Sequence, residues 1–356
     1  MPDIATMQVE GMEYSGWKTL SIPTSIENCA TAFNFEASLY DPAKLADYKL
    51  LEGMACKIAL NSDKVVDGYI DSVKLGQAPD NRSINISGRS KTADAVDCSA
   101  ICDTGHFKKQ KIEIIATVLN NFYKIATLCD VNTGDAILKH VIETGETVYQ
   151  SIERAARLKG LLITDTIDGQ MHITRAGSSR AHDALIVGEN VKSTDASFAT
   201  ENRYSEYRVH GQTKGSDKIH GQKACQNIGI AKDPLIKRPR VLIIKAEGQA
   251  NKEQCQTRAN WESAIRAAKS IRINVVVKGW HQSNGQLWTK NSIVQYVNKD
   301  FGISAEFLIV DATYEQSNDG TSTTMTLSPP ESYQPLEITK KTANKNTTNA
   351  FEDTLR

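Results

Sequence analysis

The sequence predicts an α+β fold that is mostly β, with two antiparallel β regions on either side of a small α/β region. Three observations carry that class. Short segments of alternating apolar and polar residues, closed by Gly, Asn and Asp, recur before residue 90 and after about residue 185. Between them the apolar residues take helical spacing. Beyond Pro329-Pro330 no sustained pattern remains. The implied division is residues 1–95, 96–184 and 185–330, with a flexible tail at 331–356.

In the first region "MQVEGMEY" and "WKTLSI" flank Ser15-Gly16, which reads as a tight turn between two strands. In "FNFEASLY", Phe33, Phe35, Ala37 and Leu39 share one face, and Asn34, Glu36, Ser38 and Tyr40 the other. One side of that strand is therefore buried and one wet. "CKIAL" and "KVVDGYI" form a hairpin through "NSD", and "RSINISG" adds a strand with Ile84 and Ile86 together. Short strands with regular turns read as a sandwich or barrel.

The middle region opens on an amphipathic helix, with Ile112, Ile115, Ala116, Leu119 and Phe122 on one stripe. A second helix follows in "GETVYQSIERAARLKG". Thr147 and Gln150 have capping-box spacing at its start, and Val148, Ile152 and Ala155 give it an apolar stripe. Arg157 and Lys159 suit the negative end of its dipole, and Gly160 can end it in the left-handed conformation. "LLITDT" and "QMHITRA" then pair through Asp168-Gly169.

In the second β region "RYSEYRVHG" and "RPRVLIIKA" read as strands. Trp261, Ala264, Ile265 and Ala268 predict a helix over 252–269. "IRINVVV" alternates, with Ile271, Ile273, Val275 and Val277 on one side. "GWHQSNGQLW", "SIVQYV", "EFLIVDATYEQ" and "TSTTMTLSPP" continue as antiparallel strands.

With 356 residues the chain has room for two to three domains. Lys plus Arg and Asp plus Glu balance at 42 each, so the basic excess of a phosphate-gripping protein is absent. No apolar run approaches the ~18–20 residues that span a bilayer. The N-terminal "MPDIATMQVEGMEYSG" has no basic or apolar signal segment, which implies synthesis in the cytoplasm. Cys29, Cys56, Cys98, Cys102, Cys129, Cys225 and Cys255 are scattered, odd in number and without CxxC, so they read as reduced thiols. Cys98 and Cys102 share a side if they lie on a helix, yet no nearby His or Cys completes a metal set.

Catalytic signatures are missing: there is no HExxH, GxSxG, P-loop or GxGxxG before a helix. His106, His140, His172, His182, His210, His220 and His281 stand singly. "HGQ" occurs at His210–Gln212 and His220–Gln222; two ends of a polar loop is the reading preferred over a shared metal. Glu146, beside Glu143, favours the helix N-terminus rather than catalysis. The expected enzymatic, cofactor and metal residues are therefore none. Trp280 and Trp288 flank "HQSNGQL" on two arms of a hairpin, where core closure or an interface is preferred over a sugar or base platform. Lys232, Lys237, Arg238 and Arg240 lie in "KDPLIKRPR", whose two prolines and lack of interleaved aromatics favour an exposed loop or a protein contact over nucleic acid.

Two resemblances add to this. "GETVYQSIERAARLKGLLIT", Gly145–Thr164, resembles the start of a LysM module, a fold often used to hold bacterial cell-wall glycan, and the LysM-like segment runs over 145–175. Taken alone it implies a peptidoglycan-binding or wall-degrading tail protein. The single copy and the lack of a catalytic domain stand against that.

The stretch "GWHQSNGQLWTKNSIVQYVNKDFGISAEFLIVDATYEQSNDGTSTTMTLSPPESY" resembles the C-terminal β domain of tail baseplate hub proteins from contractile phages of the Mu type, with the late control protein D group among their relatives. "KDPLIKRPRVLIIKAEG", "RANWESAIRAAK", "GYIDSV" and "GRSKTADAVDCSA" share the likeness, which covers about residues 5–333. It implies two tube-like antiparallel β-barrel domains per chain, with the LysM-like region as an architectural part between them. It implies a homotrimer whose six barrels match a hexameric tail tube above and a trimeric spike below. Partners would be the tail tube protein, the spike and other baseplate proteins, with DNA only passing through the channel, in a virion tail made in host cytoplasm. Trp261, Trp280, Trp288, Gly279 and Gly302 are the structural or interface candidates.

Overall fold

The computed structural model describes residues 3–38, 50–78, 81–157, 159, 161–212, 227–249 and 252–333. Leu39, Tyr40, Gly160, His220, Cys225 and all of the expected tail from 334 onward lie outside them.

The first β region holds β1 (Ala5–Val9), β2 (Met12–Tyr14), β3 (Thr19–Ser25), β4 (Ala32–Ser38), β5 (Ala55–Leu60), β6 (Asp63–Ala78) and β7 (Asn81–Ser90). Its first hairpin turns at Glu10-Gly11, where both residues have positive φ (48° and 81°), and not at Ser15-Gly16. Two positive φ values match the right-handed twist of the strands. Ser15-Gly16 only leads into β3, which pairs with β4. The β5–β6 hairpin closes at Asn61, as its turn chemistry predicts.

The middle region holds α1 (Ala93–Asp97), β8 (His106–Gln110), α2 (Ile112–Asn121), β9 (Thr127–Cys129), β10 (Ile137–Val141), α3 (Val148–Arg157), β11 (Leu162–Asp165) and β12 (Met171–Thr174). β8 pairs with β10, and β11 with β12, which in turn bonds β9. The α3 start is a capping box: the Gln150 side chain accepts from Thr147 N at 3.0 Å, and Gln150 N donates to Thr147 Oγ1 at 3.2 Å. Val148, Ile152 and Ala155 are buried with Ile115, Leu119 and Ile173 in the middle core. Phe122 is not in that core: α2 ends at Asn121, and Ile125 is buried after the turn instead. α1 ends at Asp97 and Cys98 is extended, so Cys98 and Cys102 share no helix face.

The second β region holds β13 (Ser179–Arg180), β14 (Leu185–Ile186), β15 (Val191–Phe198), β16 (Glu206–Gln212), β17 (Asn227–Lys232), β18 (Val241–Gln249), α4 (Lys252–Lys269), β19 (Ile271–Lys278), β20 (Ser292–Asn298), β21 (Ile303–Ser317) and β22 (Gly320–Ser328). A 3₁₀ turn, Pro330–Tyr333, follows; Ser332 in it is buried, so order extends past the expected boundary at 331. α4 covers the small sheet β17-β16-β18. Its buried residues are Cys255, Ala259, Glu262 and Ala268; of the predicted stripe Ala268 is buried, Trp261 and Ile265 are half-buried and Ala264 is exposed. Gly229 sets the approach at Cys255: a Cβ there would meet Cys255 backbone at 2.2 Å, so the helix sits almost on the strand.

The remaining strands join one 14-stranded sheet, and none of the sheets closes on itself among the described residues. β3 pairs with β21, from Leu20 opposite Gln316 to Ser25 opposite Asp311, so the two β regions are edge-bonded into one surface. β21 forks. Its first half pairs with β20, its second half with β3, and β22 runs along the other edge. A bulge at Val310 marks the fork, and it shifts the parity of the side chains. Phe307 and Ile309 before it, and Ala312 after it, enter the same core. Leu308 and Val310 point the other way, against Ile26.

Placing a carboxylate at Val148 buries an unpaired charge in the middle core. Val148→Asp is expected to lower the stability measured by urea titration by at least about 3 kcal/mol. Gln150→Ala should lose about 1 kcal/mol with its cap, whereas Glu153→Ala, which gives up an exposed i,i+4 pair with Arg157, should lose under about 0.5 kcal/mol.

Candidate functional site

The three regions meet at a buried ion pair. Asp165 ends β11, and its side chain is 1 % exposed; Lys290, in the loop before β20, is 16 % exposed. Lys290 Nζ donates to Asp165 Oδ1 at 2.6 Å, to Thr164 Oγ1 at 2.8 Å and to the Ser25 carbonyl at 3.1 Å. Asp165 Oδ2 accepts from Thr31 N at 2.8 Å and Ser90 Oγ at 2.7 Å. Thr31 Oγ1 donates to Oδ1 at 3.1 Å. One carboxylate and one ammonium therefore bind groups of all three regions. Next along the chain, Asn291 donates to the Arg175 carbonyl at 2.9 Å and accepts from Gly177 N at 2.8 Å, fixing the link from the middle to the second β region.

Burial alone would raise the Asp165 pKa. The charge of Lys290, its hydrogen bond and those of Ser90 and Thr31 outweigh that, and the carboxyl is held below the ordinary value. Cys29 lies beside it, with its thiol on the Thr164 carbonyl at 3.4 Å. Burial, and then the charge of Asp165, push that thiol up, so it is an inert packing group.

The tryptophan hairpin is the second link. Trp288 N donates to Trp280 O at 3.1 Å, and Gln282 N to Gln286 O at 2.7 Å. Trp280 is fully buried in the core of the first β region, with its indole N–H on the Glu315 carbonyl at 2.9 Å. Trp288, 3 % exposed, is in the core of the second. Tyr314 OH donates to the Trp288 carbonyl at 2.6 Å. Each ring thus plugs a different core, and neither offers a face to a ligand. Gly279 enters the hairpin with φ +77°, and Gly302 turns β20 into β21 with φ +67°. Trp261 is half-buried on α4, with the Arg258 guanidinium 4.5 Å from its ring.

The other candidates are apart from one another. Glu146 binds Arg154 through both oxygens at 3.0 and 3.1 Å and caps Glu143 N, a structural use. His210 is exposed on β16. Lys232, Lys237 and Arg238 are exposed, and Arg240 lies over Tyr204 at 5.0 Å. Among the described residues, no group of three or more His, Cys, Asp or Glu side chains is placed to hold a metal. No described helix is long and apolar enough to cross a membrane. The face of the small sheet turned away from α4 carries Ile230, Val241 and Ile243, which are 44, 48 and 63 % exposed.

Comparison with known proteins fits these parts in order. Residues 4–90 match the model of the N-terminal domain of Mu phage baseplate assembly protein GpP-like chains, 92–175 the second domain of baseplate hub protein gp44-like chains, and 251–336 the fourth domain of GpP. Baseplate hub protein gp44 of Escherichia phage Mu is 30 % identical over 100 % of this chain and 96 % of its own. The chain belongs to the Mu-type baseplate hub family. The crystal structure of the 43 kDa tail protein of prophage MuSo2 from Shewanella oneidensis superposes with a TM-score of 0.82 at 27 % identity, over 93 % of this chain and 99 % of that one. A tail protein from Neisseria meningitidis MC58 shares the fold, with a TM-score of 0.80 at 24 % identity over 94 % and 99 %. As a member of this family the chain is a structural component of a phage tail baseplate and not an enzyme.

Sequence reasoning missed Asp165 and Lys290. They lie 125 residues apart, and neither has a motif; the only signal is an Asp closing an apolar strand in "LLITDT". Removing one partner leaves a buried charge unpaired. Asp165→Asn and Lys290→Met are each expected to cost roughly 3–5 kcal/mol, and an Asp165→Leu/Lys290→Met double variant should recover the part due to the unpaired charge but not the part due to the stranded Thr31 and Ser90 donors. A lowered folded pKa means that stability is fully present above the unfolded value of 3.8 and is lost as pH falls through the folded one. Wild-type stability, followed by denaturant titration, should fall below pH 3.8, and Asp165→Asn should flatten that limb. Trp280→Ala should cost about 3–5 kcal/mol by the same assay.

Proposed function

We propose that three copies of this hub protein close into a ring that joins the hexameric tail tube to the trimeric central spike. The observation that carries the reading is the pairing of β3 with β21, which holds two β regions side by side in each chain. Those regions, which do not close into separate barrels among the described residues, serve as two tube-like units, so three chains present six to the tube and three repeats to the spike. The junction and the tryptophan hairpin keep the two units at one fixed angle, which a symmetry adaptor requires. The LysM-like segment serves as architecture: Val148, Ile152 and Ala155 are spent on the middle core, and its capping polar groups satisfy the helix start. A zero net charge suits a channel through which DNA passes without being gripped. The chain is made in host cytoplasm and acts in the virion tail, contacting tube, spike and other baseplate proteins.

A cyclic trimer needs two different patches per copy. The outer strands β2 and β15 of the large sheet, each with an unpaired edge among the described residues, and the apolar face of the small sheet supply them. Electron microscopy at micromolar concentration is expected to show threefold rings with a central hole, and light scattering a mass near 118 kDa, three times 39.2 kDa. Val241→Asp/Ile243→Asp changes only exposed positions, so it should keep the circular-dichroism spectrum of the wild type and run as monomer. Rings of other symmetry, or affinity for purified peptidoglycan, would refute the reading.

A further inference from the structure

α2 buries Ile112, Ile115, Ala116 and Leu119 and turns Ile114 and Val118 outward, both 46 % exposed; Phe122, the C-cap, keeps helical φ −58° and ψ −38° and continues their line at 63 %. These three stand at i, i+4 and i+8, so they form one stripe about 12 Å long. Soluble surfaces scatter such residues singly; aligned, they mark a contact. Thr117 and Asn121, both exposed, lie beside the stripe and leave it unobstructed by charge.

Its position separates it from the ring contacts. The middle sheet runs β11-β12-β9, and β11 carries Asp165 at the junction. α2 packs on α3 and β9, at the opposite end of that sheet from the junction. The stripe therefore lies on a different side of the middle region from the Asp165–Lys290 junction.

Charge says what fits there. Lys108, Lys109 and Lys111 are exposed at the N-terminal end of α2, and Lys124 follows its C-terminal end. The acid of the first turn, Glu113, is engaged by Thr133 at 2.6 Å and faces Lys111 at 3.7 Å; at the far end Asp94 lies near Tyr123. The N-terminal end thus adds lysines to the positive end of the helix dipole, with no side-chain cap. A second copy presenting its own α2 would oppose like charges.

We propose that the outer face of α2 docks an amphipathic helix of another baseplate protein, apolar along the stripe and acidic where it meets Lys108, Lys109 and Lys111. The proposal rests on the hub reading and adds a peripheral contact to it. The test places the photo-crosslinker p-benzoylphenylalanine at Thr117 in cells producing complete tails, followed by purification of the tails and mass spectrometry of the crosslinks. The expected product joins position 117 to an acidic amphipathic segment of a different baseplate protein. It should disappear in Val118→Ser/Phe122→Ser, while that chain keeps its melting temperature within about 2 °C and still enters trimers. Crosslinks to another copy of this chain, or to nothing in tails that contain the chain, would overturn the proposal alone. Tails that lack the chain would overturn the hub reading as well.

Discussion

The fold depends on one strand. β21 is bonded along both edges, and at Phe307–Val310 it is buried on both faces. Its bulge at Val310 lets a single strand leave one neighbour, β20, and take another, β3, while its core-facing residues stay core-facing. Without the extra residue, parity would send Ala312 and Tyr314 to the wrong side. The Val310 carbonyl, left over by the bulge, accepts Ile26 N at 3.0 Å, so the irregularity strands no polar group. The two β regions, each with its own core, are consequently joined edge to edge in one sheet.

What the edge bonds join, the side chains lock. The Asp165–Lys290 pair and the tryptophan hairpin act at different places with the same effect: each sets parts distant in sequence at a defined angle. A buried ion pair contributes little net stability compared with a well-packed apolar substitute, but it accepts only one geometry. That suits the ring proposed above, in which each copy must meet its neighbours at the same angle.

Much of this was legible in the sequence, and the limits have physical causes. Period-2 alternation placed Phe33, Phe35 and Ala37, and Ile273, Val275 and Val277, on buried faces, and helical spacing gave the extent of α4. The capping box at Thr147 and Gln150 was readable because its partners are three residues apart. The first hairpin was misplaced because Ser15-Gly16 has turn composition, while Glu10 adopts positive φ without advertising it. Phe122 fits the α2 period, yet the helix ends one residue before it. The α4 face was partly readable: Ala268 is buried as its spacing predicts, but the close approach at Cys255 is set by Gly229, remote in sequence. The pairing of β3 with β21 and the ion pair left no local trace, since long-range partners are chosen by the whole fold.

The same strand pairing sets a clock for synthesis. Thr24 Oγ1 donates to the Ala312 carbonyl across 288 residues of chain. At roughly 5–20 residues per second, the ribosome needs about 15–60 s to make that stretch. Until then β3 keeps one edge open, and the first core lacks its Trp280 and Tyr314. A chain of such high contact order completes its cooperative core only after release of its last strands. Nascent copies are therefore most exposed to wrong edge-to-edge pairing with one another while they are still being translated in the crowded producing cell.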